Sequence, residues 1–368
     1  MHWIRGRVTR QAHVDVPEGT VEEEFGRNGF FGRYAHLYRT QAPVGWTRIE
    51  GELRPRALDV SDLGVGAGDY LGSRVAVLEN ADVKVHVASL DRAMPYHFRN
   101  ADGDEVLFVH RGAGTLHTDF GPIGYREGDY LVVPRGTVYR LYPDAPTRLL
   151  VVESAAEIAL PDKGLLGQTA LFDPAVIEVP SPGPAPVPDA PERREWELKV
   201  QRQGCLTSVF YPFDPINTVG WKGDLTVWRV NVADIRPVSS DRYHLPPSAH
   251  ATFVTPAMVI VTFLPRPLEN GDPGAMKVPF FHANIDFDEV IFYHRGQFFS
   301  REGVGPGMLT FHPQGIHHGP QPGAVEASRD KTATDEVAVM IDTRRPLALT
   351  EAAQRVEWKD YWKSWSKS

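Results

Sequence analysis

The 368-residue sequence predicts a mainly β protein made of two jelly-roll β-barrel units with a C-terminal helix. Three observations predict it. Apolar runs are only four to six residues long and end at Gly, Pro, Asp or Asn. Gly (33) and Pro (31) make about one residue in six with no tripeptide period, which fits turn-rich β structure and excludes collagen. A nine-residue segment occurs twice, and internal repetition is the strongest guide to architecture.

The elements follow in chain order. A short helix is expected over Thr20–Phe25. The stretches Arg74–Leu78, Val83–Val87 and Tyr130–Val133 are rich in β-branched and aromatic residues and read as strands. Residues 1–160 form the first unit on this reading. Residues 161–195 form a connector whose core, PSPGPAPVPDAP at 180–191, is stiff because each proline fixes φ and lacks an N–H donor. Residues 196–368 form the second unit, with strands at Thr226–Val230, Met258–Phe263 and Val290–Tyr293. The tail, Ala348–Trp365, carries Glu351, Ala352, Ala353 and Gln354 at helical apolar spacing and ends as a helix.

The repeat fixes the correspondence between units. Asp104–Gly112 reads DEVLFVHRG and Asp288–Gly296 reads DEVIFYHRG, seven identities in nine at an offset of 184. Asn100 and Asn284 keep that offset. Downstream, Gly128-(5)-Pro134-Arg135-Gly136-Thr137-Val138-Tyr139 parallels Gly307-(5)-Pro313-Gln314-Gly315-Ile316-His317-His318.

Charge and composition exclude several classes. The formal net charge is −8, which argues against a general nucleic-acid binder, since neutralising phosphates needs a basic face. The longest uncharged apolar stretch, Ala251–Pro265, has 15 residues and two prolines, short of the roughly 20 that span a bilayer. Cys205 is the single cysteine and is expected to be a buried small hydrophobe. Without disulfides or an apolar leader, a cytoplasmic protein is expected. Against one Cys stand 14 His, seven of them between His244 and His318.

That enrichment contains a pattern. The second unit reads His282-Ala283-Asn284-(4)-Glu289-(6)-Gly296, then Gly307-(5)-Pro313-(1)-Gly315-(2)-His318. This resembles the two-part motif of the cupin superfamily, with Asn284 where a second histidine usually stands. Two imidazoles and one carboxylate make a facial triad that leaves open positions on a metal, which suits non-haem Fe(II) rather than a closed structural zinc. His317 competes with His318 and Asp288 with Glu289; the spacing favours His318 and Glu289. In the first unit Phe98 aligns with His282 and Tyr139 with His318, so only Glu105 persists and no metal is expected there. His97 lies one position from the ligand slot. His110, His117 and His294 read as surface or strand-face histidines.

A narrower resemblance covers residues from about 90 to 350. The segments Asn100-Ala101-Asp102-Gly103-Asp104, Gly220-Trp221-Lys222-Gly223-Asp224, Phe280-Phe281-His282-Ala283-Asn284 and His318-Gly319-Pro320 are similar to those of the homogentisate 1,2-dioxygenases, bicupin Fe(II) enzymes of tyrosine catabolism. The resemblance implies that His282, Glu289 and His318 hold iron. It implies that Asn284 and His312 face the substrate and that His244, in Tyr243-His244-Leu245-Pro246, is the active-site base. His250 competes for that role. The partners implied are O2 and an aromatic hydroquinone, the product from homogentisate is maleylacetoacetate, and the assembly is a homo-oligomer, a trimer or larger. One departure bears on the substrate. Phe298 stands where a tyrosine that binds the substrate carboxylate is expected, and Phe cannot donate a hydrogen bond. Tyr293 or Arg295 could take over. Gentisate or another hydroquinone is therefore an alternative substrate, and a non-catalytic bicupin binding protein is the alternative outside enzymes.

Overall fold

The computed structural model describes residues 3–366 except 188, 191 and 299, and at Asn284 the backbone alone. The protein is mainly β. Two sheets form the first unit. One has seven strands in the order Trp228–Asn231, Asp129–Val133, Asp104–Arg111, Thr147–Ser154, Val83–Leu90, Val75–Glu79 and Ala348–Leu349. The other has six, in the order Cys205–Tyr211, Trp196–Arg202, His97–Asn100, Val138–Pro143, Ala113–Thr118 and Gly121–Arg126. Between them lies an aromatic and aliphatic core that includes Tyr70, Phe98, Leu107, Val109, Leu131 and Tyr139.

The second unit has a six-stranded sheet in the order Ala251–Val254, Met258–Phe263, Val337–Thr343, Asp288–Arg295, Met308–His312 and Arg56–Asp59. A three-stranded sheet, Phe281–Asn284, Val21–Gly26 and Tyr34–Arg39, faces its interior side.

The repeated strands explain why their sequence does not alternate polar and apolar. Asp104–Arg111 and Asp288–Arg295 are both buried up to their final residue. Successive side chains point to opposite faces. Glu105, Leu107 and Val109 point into the first barrel, as Glu289, Ile291 and Tyr293 point into the second. Val106, Phe108, Val290 and Phe292 join one shared core between the units. The repeat therefore packs back to back. Phe108 meets Phe292 at 6.4 Å between rings, and His110 Nδ1 lies 2.9 Å from His294 Nδ1, residues 184 apart in the chain. His110, His117 and His294 are on strand faces but buried, not at the surface. The first and third close the interface between units, and His117 bonds the Gly183 carbonyl of the connector at 3.2 Å.

The pairing crosses between the repeats. The hairpin Val21–Gly26 with Tyr34–Arg39 lies parallel on Phe281–Asn284, Glu24 opposite His282. The hairpin Trp196–Arg202 with Cys205–Tyr211 lies parallel on His97–Asn100, Lys199 opposite Phe98. Likewise Arg56–Asp59 pairs with Met308–His312, and Trp228–Asn231 with Asp129–Val133. Each repeat lends its leading hairpin and next strand to the other. In the connector, Glu178 bridges to Arg229 on the lent strand; Pro188 and Pro191 lie outside the described residues.

Three local expectations are corrected. Thr20–Phe25 is not a helix: Val21–Gly26 is a strand, because two partner strands satisfy its backbone and outweigh the helix preference of three glutamates. Cys205 is exposed at the turn of its hairpin. The tail is not one helix. It contains Glu351–Arg355, with Thr350 Oγ1 accepting from the Ala353 N–H, and a 3-10 turn at Tyr361–Trp365. Tyr361 and Trp365 of that turn are buried against Val44, Ala57 and Phe281. Among the described residues no helix is long and apolar enough to cross a membrane.

Candidate metal centre and its cavity

The local fold brings His282, Glu289 and His318 together. His282 sits on Phe281–Asn284 and Glu289 on Asp288–Arg295. The chain reverses after Met308–His312 at Gly315, whose φ of +89° is a conformation glycine adopts without strain, and so returns His318 to the site. A backbone bridge then locks the two histidines: the His282 N–H donates to the His318 carbonyl at 2.9 Å and the reverse bond is 3.0 Å. Their rings are 4.0 Å apart. Glu289 Oε2 is 3.4 Å from His318 Nε2 and 3.8 Å from His282 Nε2. One ligand atom from each residue lies within 4.8 Å of the others, and all three residues are buried.

The donor set fits a cation. The His282 Nδ1–H donates to the Phe280 carbonyl at 3.1 Å, which leaves Nε2 as a lone pair turned to Glu289. His282 Nε2 and both His318 nitrogens have no hydrogen-bond partner, a costly arrangement for buried polar atoms unless a metal takes them. Burial works against charge on Glu289, but His318, His282 and His312 outweigh it and hold the carboxyl well below its usual range. Burial, then His282, pushes His318 down to about 3, which favours its neutral form.

The choices left open by spacing are separated by geometry. Asp288 turns away and caps loops: its carboxylate accepts from the Gln314 N–H at 2.8 Å and the Leu347 N–H at 2.6 Å. His317 bonds Glu23 Oε1 at 2.8 Å, outside the triad. His97 meets Asp214 at 3.0 Å in the other unit.

His282 and Glu289 line a cavity whose wall also includes His244, His250, Phe298 and Tyr293. His244 Nδ1 donates to Glu269 Oε1 at 3.0 Å; burial lowers its pKa although Glu269 opposes this. His250 has no such orienting carboxylate; its Nδ1 has no partner, and burial pushes it down to about 3. Phe298 is buried and packs on Tyr293 at 4.5 Å between rings. The Tyr293 hydroxyl pairs with Thr310 Oγ1 at 3.0 Å, and Arg295 is exposed at its strand end, so neither stands in for the missing tyrosine. Asn284 ends the strand of His282, its side chain outside the described part.

His312 is not on the cavity wall where a substrate contact was expected. It lies opposite Glu289 across the strand pair, and its Nδ1–H donates to Glu289 Oε1 at 2.7 Å. Its ring stacks on His318 at 4.8 Å with Trp365 of the tail behind it. It holds the carboxylate so that Oε2 faces the histidines, the orienting role that outer partners play at metal sites.

Several cavity residues had no signal in the sequence. Arg266 and Arg301 line it together with Glu336. Arg266 Nη1 is 3.5 Å from Glu336 Oε1, and Arg301 Nη2 is 3.8 Å from Glu289 Oε1. Arg301 Nε and Arg266 Nη1 have no hydrogen-bond partner. Glu269, which orients His244, was also unmarked. None belongs to a spaced motif; the fold alone brings them in.

The first unit presents the counterpart. Glu105 stands where Glu289 does, but Arg74 Nη1 bonds its Oε1 at 2.6 Å and the Tyr139 hydroxyl its Oε2 at 2.8 Å. Arg74 also bonds Glu153 at 2.8 Å. Glu153 lies opposite Glu105 as Asp342 lies opposite Glu289. Among the described residues no arginine pairs with Asp342; burial, then Glu289 and Asp288, push its carboxyl well above the usual range.

Comparison with known proteins finds the following similarities. Residues 67–232 match the family model for the homogentisate 1,2-dioxygenase N-terminal region. The chain is 32% identical to a protein of Saccharolobus solfataricus named "Putative dioxygenase", over 99% of this chain and 98% of that one. It is 26% identical to homogentisate 1,2-dioxygenases of Bradyrhizobium diazoefficiens (78% of this chain, 67% of that one) and Dictyostelium discoideum (76% and 68%). Among solved structures it is similar to a cupin 2 conserved barrel domain protein from Leptotrichia buccalis, with TM-score 0.35 and 10% identity over 74% of this chain and 88% of that one.

Proposed function

The chain belongs to the homogentisate 1,2-dioxygenase family of the cupin superfamily, and from that premise we propose that it is an Fe(II)-dependent ring-cleaving dioxygenase for homogentisate or a close hydroquinone. The observation that supports this reading is the buried convergence of Glu289 with partnerless imidazole nitrogens of His282 and His318, beside a cavity that His282 and Glu289 line. His282, Glu289 and His318 hold the metal. Bound iron supplies the redox chemistry that joins O2 to the ring, with product maleylacetoacetate when homogentisate is the substrate.

The protein's own residues do the rest. His244 takes the phenolic proton on its Nε2, and Glu269 on the other nitrogen steadies the ring and the imidazolium that forms. His312 keeps Glu289 turned to the metal. Phe30, Phe280 and Phe298 give the cavity an apolar wall for an aromatic ring. Phe298 cannot bind a carboxylate, but Arg266 and Arg301 present buried guanidinium N–H groups to the same space. They suit a hydroquinone with an acidic side chain, which favours homogentisate or gentisate over unsubstituted hydroquinone.

An oxygen-electrode panel tests this. Iron-loaded protein is expected to consume O2 with homogentisate or gentisate at a kcat/KM at least tenfold above that for hydroquinone. Uptake with none of the three, in protein with one iron per chain, contradicts the proposal.

A further inference from the structure

A second cluster of metal-ligating side chains lies on the hairpin lent to the second unit. In Val21–Gly26, Glu22 and Glu24 point to one face and Glu23 to the other. Across the hairpin, His36 is opposite Glu24 and Tyr38 opposite Glu22. Thus two carboxylates and one imidazole share a face. The preceding loop adds His13, buried, with φ of +65°.

These groups converge. One ligand atom each from His13, Glu24 and His36 lies within 4.8 Å of the others. His36 Nε2 is 3.2 Å from Glu24 Oε2, and the rings of His13 and His36 are 5.0 Å apart at 72°. His13 Nδ1 is bonded by Glu22. A carboxylate on one ring nitrogen fixes the tautomer and directs the other nitrogen outward as a ligand, as around metal-bound histidines. The ion pairs of Glu22 and Glu24 are with these two histidines and not with Lys or Arg; Arg39 goes to Glu23 on the opposite face.

The cluster is separate from the catalytic cavity, whose wall includes none of its residues. Phe280 stands between them. Its ring stacks on His13 at 4.4 Å and 4°, and meets His282 at 5.8 Å.

We propose that His13, Glu24 and His36 form a second divalent-metal site, one that takes Zn2+ and fastens the N-terminal segment and hairpin to the strand carrying His282. Two imidazoles and a carboxylate are ordinary zinc donors, and water completes the tetrahedron. Glu22 is the orienting carboxylate. The tether is direct, because Glu24 pairs across strands with His282.

The test titrates full-length protein of known iron content with Zn2+ alone, followed by calorimetry and metal analysis. One Zn2+ per chain is expected to enter without release of iron and to raise Tm. In His36→Ala the Zn2+ and the Tm rise are lost while iron and O2 uptake remain; His36 is on an edge strand, and far-UV circular dichroism checks its fold. Glu22→Gln, which keeps all three ligands, is expected to weaken Zn2+ binding about 10–100-fold. The proposal is overturned by no Zn2+ uptake, by Zn2+ entering only as iron leaves, or by unchanged uptake in a folded His36→Ala.

Discussion

Glu105 and Glu289 occupy the same place in the two barrels and face opposite neighbours. Glu105 is closed off by Arg74 and the Tyr139 hydroxyl. Glu289 faces His282 and His318, with His312 on its far oxygen. Both carboxylates are buried, and a buried charge requires a partner. The first unit supplies a guanidinium in direct contact at 2.6 Å; in the second Arg301 stays 3.8 Å from Glu289 Oε1, and Oε2 is left facing imidazole nitrogens that could hold a metal. The difference teaches that the unit without the motif is not a decayed site with an unpaired acid. Its cation is built in, and its Phe98 and Tyr139 fill the space that the ligands occupy in the other barrel.

The comparison can be broken where it is strongest. His318→Ala is expected to remove iron and O2 uptake together, with activity down by about 10³-fold or more, since the metal supplies the redox step. Full iron content in that variant would separate the triad from the metal. His244→Asn sharpens the next level: kcat is expected to fall about 10²–10⁴-fold with iron retained, as for loss of a general base. An unchanged pH–rate profile would return the role to His250.

Arg74→Met probes the other barrel. It leaves Glu105 buried without its cation and Glu153 with Lys84 alone at 3.6 Å, and about 3–5 kcal/mol of stability is expected to go. Urea unfolding reads the loss, and kcat per folded molecule should not change. Arg266→Met is expected to raise KM for homogentisate about tenfold and leave kcat and hydroquinone turnover near wild type. Equal effects on both substrates would remove the carboxylate role.

A pH effect is expected at the seam. Burial pushes His110 to about 3 and His294 to about 4. Both lie below the unfolded value of about 6.5, so the unfolded chain binds more protons in between. This stability is full above pH 6.5 and is lost as pH falls from there toward 4, on the order of 2 kcal/mol per histidine by pH 5. The gap between unfolding midpoints at pH 7 and pH 5 should narrow in His294→Gln, by His294's own share.

The triad was legible because its spacing is local. A strand, a tight turn at Gly315 and the returning chain set the geometry within 37 residues, from His282 to His318. The repeat likewise exposed the two barrels. The exchange of hairpins was not legible, since period-2 patterning says which face a strand buries but not which copy it joins. The same cause hid the Val21–Gly26 strand: its glutamates favour a helix locally, and its partners, Phe281–Asn284 above all, are distant in sequence. Arg266 and Arg301 reach the cavity, and Glu269 reaches His244, one at a time, without a pattern that spacing could mark. His312 carried a signal, but its side of the carboxylate was decided by strand register.

The most direct test of the central claim is iron stoichiometry in anaerobically purified protein and two matched variants. One Fe(II) per chain is expected, retained in Glu105→Gln and lost in Glu289→Gln. Iron that survives in Glu289→Gln, or disappears in a folded Glu105→Gln, would contradict the assignment of the metal to the second barrel alone.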